Sequence, residues 1–156
     1  MVEKKQKGFT LIELLIVIAI IIILAAIVFV ALNPLQRFQD ARNAQRWADI
    51  TAMLNAIKIN QVDSQGTYLA SVDAITAGTT YEIGTCTPGN GDCGGIATNC
   101  VDLAGLVTGG YLGSIPVDPS GGVAANTGYS LVKAATGIVT ITACNAEAGK
   151  TISASR

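Results

Sequence analysis

A carboxylate stands at the edge of a long apolar segment, where an ionised side chain is unfavourable. Glu13 lies within "KGFTLIELLI", residues 7–16, and nineteen residues without a polar side chain follow it, from Leu14 to Leu32. By insertion scales an acidic residue deep in a bilayer costs about 2.5–3.5 kcal/mol, and less near the bilayer edge. Glu13 is therefore expected to serve a function and to have a partner that neutralises its charge.

Other chemistry is poorly represented in the chain. Histidine is absent, which removes both the commonest general base and the commonest metal ligand. The sequence contains no nucleophile elbow, no phosphate-binding loop and no dinucleotide fingerprint. Only 13% of the residues are charged and the net charge is -1, which excludes the basic surface that nucleic-acid binding requires. We expect neither an enzyme nor a cofactor, and no nucleic-acid partner.

The apolar segment has the length of a membrane span. Nineteen helical residues at a rise of ~1.5 Å extend about 28 Å, close to the ~30 Å hydrocarbon core. Lys4, Lys5 and Lys7 precede the segment and place the N-terminus in the cytoplasm. A secretory signal peptide would have an apolar region of about 7–15 residues and a small-residue cleavage site. An ordinary single-pass anchor explains the length but leaves Glu13 unexplained.

The stretch "KGFTLIELLIVIAIIIILAA" resembles the N-terminus of type IV prepilins and the related pseudopilins. In that family a basic leader ends in Gly and is cut by a prepilin peptidase. The new first residue, usually Phe, is N-methylated, and Glu is the fifth mature residue. Gly8, Phe9 and Glu13 match this pattern. The resemblance implies removal of the leader, residues 1–8, methylation of Phe9, and pairing of Glu13 with the Phe9 amine of a neighbouring subunit.

The resemblance also implies an α+β fold in which a long N-terminal helix packs against a small antiparallel sheet. We expect this helix over residues 9–61, with residues 9–32 spanning the membrane or forming the filament core, and a globular domain over residues 62–156. Pro34 should break or kink the helix, because proline lacks a backbone donor and clashes with the carbonyl four residues earlier. Many pilins have such a proline nearer the N-terminus, where this chain has Val30.

Beyond Pro34 the apolar residues recur at helical spacing. They form one face that comprises Phe38, Ala41, Ala44, Trp47, Ile50, Leu54 and Ile57. We expect the part from Trp47 to Ile57 to pack on the chain's own domain. Arg42 and Arg46 are like charges four residues apart, a mildly unfavourable spacing. They are expected either to be solvated or to meet Asp40 or Asp49 of a neighbouring subunit.

The remainder of the chain predicts short strands and one short helix. Residues 80–83 form a candidate first strand and residues 101–108 a short helix. Residues 129–134 and 138–143 flank a three-residue loop that contains Gly137, the pattern of a β-hairpin. The segment "GYLGSIPVDPSG", residues 110–121, resembles the region before the final hairpin of major pseudopilins and many pilins.

Four cysteines lie in this outer part: Cys86, Cys93, Cys100 and Cys144. Their even number indicates disulfides formed in an oxidising compartment. Of the three possible pairings we favour Cys86–Cys93 with Cys100–Cys144. A zinc site is the alternative, but the spacings and the lack of histidine disfavour it. Asp92 and Asp118 lie in loops where calcium could bind, although turn chemistry explains them more simply, and no metal is assigned.

These observations predict a structural subunit of a type IV pilus. The subunit would reside in the cytoplasmic membrane as a precursor and then polymerise with copies of itself into an extracellular filament, for adhesion, motility or DNA uptake. The resemblance implies the prepilin peptidase and the pilus assembly machinery as partners. One alternative is a pseudopilin of a type II secretion or competence apparatus. An alternative of another class is a membrane-anchored extracellular binding module.

Overall fold

The computed structural model describes residues 8–86, 93 and 99–156. It forms two compact units, Met1–Phe38 and Gln39–Arg156, which we describe separately. The predicted leader, apart from Gly8, and residues 87–92 and 94–98 lie outside the described residues.

The first unit is dominated by helix α1, Leu11–Leu32. Its mean hydropathy reaches 3.6, and by length and composition it could cross a membrane. None of its residues is buried within the chain. At ~1.5 Å per residue its 22 residues extend about 33 Å. An apolar helix left uncovered on every side is suited to lipid or to other helices.

The helix is interrupted at Asn33. This residue adopts the left-handed conformation, with φ 38°, and ends α1. Helix α2, Pro34–Asp63, begins at the next residue. Proline is well tolerated at the first helical position, because its missing N–H would have no intrahelical partner there. The regular helix is thus interrupted at the residue before Pro34.

The outer unit is built on a five-stranded sheet. Its strands are β1 (Thr80–Ile83), β2 (Cys100–Val101), β3 (Tyr129–Lys133), β4 (Val139–Ala143) and β5 (Ser153–Ser155), in the order β2-β1-β3-β4-β5. All pairs are antiparallel except β1 with β2, which are parallel. Two short helices, α3 (Ala70–Asp73) and α4 (Ala104–Thr108), complete the unit. The fold is α+β as predicted, but the sheet is mixed rather than antiparallel.

The predicted short helix begins later than its pattern indicated. Cys100 and Val101 pair in parallel with Glu82 and Ile83 of β1, so the start of the predicted helix is a strand. Val101 is 1% exposed, and a β-branched side chain suits a buried strand position. The Asp102 carboxylate then accepts a hydrogen bond from the Ala104 amide at 2.8 Å, and α4 follows.

The core lies between α2 and one face of the sheet. On β4 the residues Val139, Ile141 and Ala143 are buried, as expected for a strand with one face on the core. They join a cluster that includes Ile50, Met53, Leu54, Ile57, Ile83, Leu106 and Leu131. Each fully buried side chain of this size contributes roughly 1.5–3 kcal/mol relative to exposure. Gly137 closes the β3–β4 hairpin with φ 84°, a conformation that favours glycine.

Candidate processing and assembly site

Gly8 and Phe9 precede the first turn of α1. The Phe9 side chain is 90% exposed. Apart from its chain neighbours, no atom of the described residues lies within 4 Å of a Cβ atom added to Gly8. Packing within the described chain therefore gives no reason for glycine at position 8.

Glu13 has a partner within its own helix. Thr10 is the N-cap of α1, and its hydroxyl oxygen accepts a hydrogen bond from the Glu13 amide at 3.3 Å. In return, the Thr10 amide and hydroxyl donate to Glu13 Oε2 at 2.8 Å and 2.7 Å. This reciprocal arrangement is a capping box, which satisfies backbone donors at the start of the helix.

This capping role was not predicted, although a Thr three residues before a Glu is its sequence signature. Both carboxylate bonds use Oε2, and Oε1 takes no part in them. An ionised carboxylate has about four acceptor positions. Glu13 can therefore cap its own helix and still accept a hydrogen bond from a further donor.

Several charged side chains of α2 bond to residues of the outer unit. Asp40 pairs with Lys150 at 2.6 Å, and Asp49 accepts a hydrogen bond from the Tyr129 hydroxyl at 2.7 Å. Burial and the Asp49 carboxylate both raise the pKa of Tyr129. Lys58 donates to the Tyr68 hydroxyl.

Between residues 41 and 51, the side of α2 opposite Arg42, Arg46 and Asp49 is uncharged and exposed. It carries Ala41, Ala44, Trp47, Ala48 and Thr51, which share one side of the helix by their spacing. Trp47 is 45% exposed, so it does not belong to the face that packs on the chain's own domain, as was predicted for the part from Trp47 to Ile57. The buried stripe continues from Ile50 toward the N-terminus through Arg46 and Asn43 instead.

Arg46 is the centre of a buried charge cluster. Its side chain is fully buried and bonds to both oxygens of the buried Asp118 carboxylate, at 2.6 Å and 3.0 Å. It also donates to Ser120 at 2.7 Å, to Asn43 at 2.8 Å and to Glu147 at 3.0 Å. A guanidinium in this fork geometry satisfies two carboxylate oxygens at once.

Arg42 completes the cluster. It bonds to both oxygens of Glu147, at 2.7 Å and 2.5 Å. Arg42 and Arg46 therefore meet carboxylates of their own chain, which corrects the expectation of solvated or intersubunit charges. The hydrogen bonds from Arg42 and then Arg46 lower the pKa of Glu147 to about 2. Burial raises the pKa of Asp118, but the bonds from Arg46 and Ser120 outweigh it, and the net shift is downward.

The calcium alternative involved Asp92 and Asp118. Among the described residues, no group of three or more His, Cys, Asp or Glu side chains could hold a metal ion. The Asp118 carboxylate is engaged by Arg46 and Ser120. Asp92, the other residue considered for calcium, lies outside the described residues.

All four cysteines form disulfides, but not in the favoured pairing. The bonds join Cys86 to Cys100 and Cys93 to Cys144. The favoured pairing joined Cys86 to its nearest cysteine in sequence. Cys100 is instead placed beside the end of β1 by the parallel β1–β2 pair, which sequence spacing did not indicate.

Comparison with known proteins gives one match. The family model described as the prokaryotic N-terminal methylation motif matches residues 4–29. Neither the curated proteins nor the solved structures gave a match. The matched range contains Gly8, Phe9, the capping box and most of α1. The chain therefore carries, at residues 4–29, the N-terminal signal motif of type IV prepilin-like proteins.

Proposed function

We propose that the chain is a structural subunit of a type IV pilus, made as a membrane-anchored precursor and polymerised after cleavage between Gly8 and Phe9. The observation that carries the proposal is the methylation motif at residues 4–29 with Glu13 five residues after Gly8. Phe9 would become the methylated first residue. The subunit has a structural role rather than a catalytic one.

The geometry of the N-terminus supports this assignment in two ways. Glycine at position 8 has no packing role in the described chain. Recognition of this residue by a peptidase would explain why it is glycine. The Glu13 Oε1 atom takes no part in the capping box, and a neighbour's Phe9 amine is a suitable donor for it. An unpaired charge buried in an apolar bundle costs several kcal/mol, so this pair would select subunits in the correct axial register.

The outer unit supports polymerisation through the exposed side of α2. Ala41, Ala44, Ala48 and Thr51 have small side chains that allow close helix approach, and Trp47 offers a large apolar surface. We propose that this side faces other subunits in the filament.

The test of this surface is a charge introduced at its centre. Ala48→Lys should lower the fibre yield and leave the monomer fold intact. Gln45→Lys, on the margin of the same surface, should lower the fibre yield less.

The decisive experiment is negative-stain microscopy of material sheared from cells, with N-terminal sequencing and mass spectrometry. We expect long fibres whose subunits begin at methylated Phe9. Mature protein that begins at Met1, or beyond Leu24, would reject the prepilin assignment. Short fibres would favour a pseudopilin. Processed subunits that never form fibres would favour an anchored binding module.

A further inference from the structure

The turn that follows the helix break has two chemically different sides. Leu35 is 65% exposed and Phe38 is 64% exposed. They are three residues apart and so lie on one side of the helix, while Gln36 and Arg37 point to the other. We refer to residues 33–38 as the post-break turn. It belongs to the same compact unit as α1.

Arg37 differs from the arginines that follow it. Arg42 and Arg46 pair with carboxylates of the outer unit. Among the residues that the structure describes, Arg37 has no acidic partner within salt-bridge distance. Its guanidinium is therefore available to an anion from outside the chain.

The length of α1 fixes where this turn would lie in a membrane. Twenty-two residues extend about 33 Å, which fills the ~30 Å hydrocarbon core. The post-break turn then falls at the level of the phospholipid headgroups. Aromatic and aliphatic side chains are stable at that boundary, and arginine there can extend toward phosphate groups.

We propose that the post-break turn is an interfacial anchor that binds phospholipid. Leu35 and Phe38 insert at the boundary of the acyl chains, and Arg37 contacts the headgroup phosphates. The anchor sets the depth of the subunit in the membrane before assembly. The inference rests on the membrane-anchored precursor and does not require a filament.

The test uses tryptophan as a depth reporter. The chain contains one tryptophan, Trp47, so Trp47→Phe with Phe38→Trp gives a single reporter at position 38. The full chain is reconstituted in phosphatidylcholine and phosphatidylglycerol vesicles that contain brominated lipids. We expect at least twofold stronger quenching by bromines near the headgroup end of the acyl chain than by bromines near its terminus. The parent chain, with Trp47 as its reporter, should be quenched little by either.

The contribution of Arg37 is tested in the same reporter chain. Arg37→Glu should reduce quenching by the bromines near the headgroup at least twofold, because a carboxylate is repelled by phosphate, whereas Arg37→Lys should retain this quenching.

Equal quenching in the reporter chain and in both Arg37 variants would overturn the headgroup contact. A reporter quenched by aqueous iodide and not by brominated lipid would overturn the anchor. The anchor would also be overturned if quenching by lipid disappeared as the protein density rose, since a second copy of the chain would then cover the turn. Fibres could still form in each case, which separates this inference from the proposed function.

Discussion

Arg46 Nε lies 2.6 Å from Asp118 Oδ2, and both side chains are completely shielded from solvent. This bond joins α2 to the loop before β3. The same guanidinium reaches Glu147 in the loop between β4 and β5. One side chain therefore holds two loops of the outer unit against the helix.

Removing Arg46 should destabilise the outer unit strongly. Arg46→Met leaves the buried Asp118 carboxylate without its cation, and breaking a buried ion pair in this way costs about 3–5 kcal/mol. Urea unfolding of the full chain in detergent micelles, followed by Trp47 fluorescence, measures the change. The exposed neighbour supplies a matched control, because Gln45→Met should shift the free energy of unfolding by no more than about 0.5 kcal/mol.

A double variant separates pairing from packing. Arg46→Met combined with Asp118→Leu removes both charges and should recover part of the stability lost in the single variant, because no lone charge remains buried. A double variant less stable than Arg46→Met would show that the ion pair is not the source of the loss.

The charge cluster should make stability fall in acid. Its carboxylates have lowered pKa values in the folded chain, about 2 for Glu147, against roughly 4.3 for Glu and 3.9 for Asp when unfolded. Their contribution is therefore fully present above about pH 5 and is lost as the pH falls from about 4.5 toward 2. Urea midpoints measured across this range should decline, and the decline should be shallower in Glu147→Gln. Equal slopes in the two chains would contradict the assignment.

The two roles of Glu13 can be separated by substitution. Glu13→Gln keeps the capping box, since glutamine can also bond the N-cap amide, but removes the charge. Glu13→Ala removes both. If Glu13 pairs with a neighbour's amine, both variants should give few or no fibres, and Glu13→Asp should give an intermediate yield. If capping alone matters, Glu13→Gln should assemble like the parent. The ratio of sheared fibre to membrane-pool subunit, at equal expression, decides.

Cleavage should depend on glycine at position 8. A Cβ atom there meets no other described residue within 4 Å, so Gly8→Val should fold and insert normally but remain uncut and unassembled. Immunoblots of membranes would show only the precursor. Cleavage shifts the net charge from -1 to -3, since the leader contains three Lys and one Glu, so isoelectric focusing gives an independent readout. Normal cleavage of Gly8→Val would contradict the proposed site.

The disulfides should differ in their contribution to stability. In the chain-entropy model, a bond across 51 residues, as in Cys93–Cys144, contributes about 4 kcal/mol, and one across 14, as in Cys86–Cys100, about 3 kcal/mol. The corresponding double Cys→Ala variants should rank in that order in urea unfolding. Thermolysin cleavage before Ile96 separates Cys93 from Cys100, so non-reducing peptide mapping distinguishes this pairing from Cys86–Cys93 with Cys100–Cys144.

The parts of the fold that sequence predicted are those set by local pattern. The β3–β4 hairpin follows from the strand-like segments that flank Gly137, and α2 ends at Asp63, two residues from the predicted end at residue 61. Apolar periodicity alone predicted the wrong side of α2 for Trp47, because the buried side continues through the polar residues Asn43 and Arg46. Arg46 is buried only because Asp118 and Glu147 neutralise it, and both lie more than seventy residues away.

The two disulfides interleave in sequence, since Cys93 lies between Cys86 and Cys100 and is bonded beyond both of them. Consequently a single peptide-bond cleavage anywhere between Cys86 and Cys144 leaves the two fragments covalently joined. The pairing favoured from the sequence, Cys86–Cys93 with Cys100–Cys144, would not have kept the fragments joined, because a cut between Cys93 and Cys100 would have separated the chain into two pieces. A subunit exposed to extracellular proteases could thus be nicked once in this region and still transmit tension along its covalent bonds.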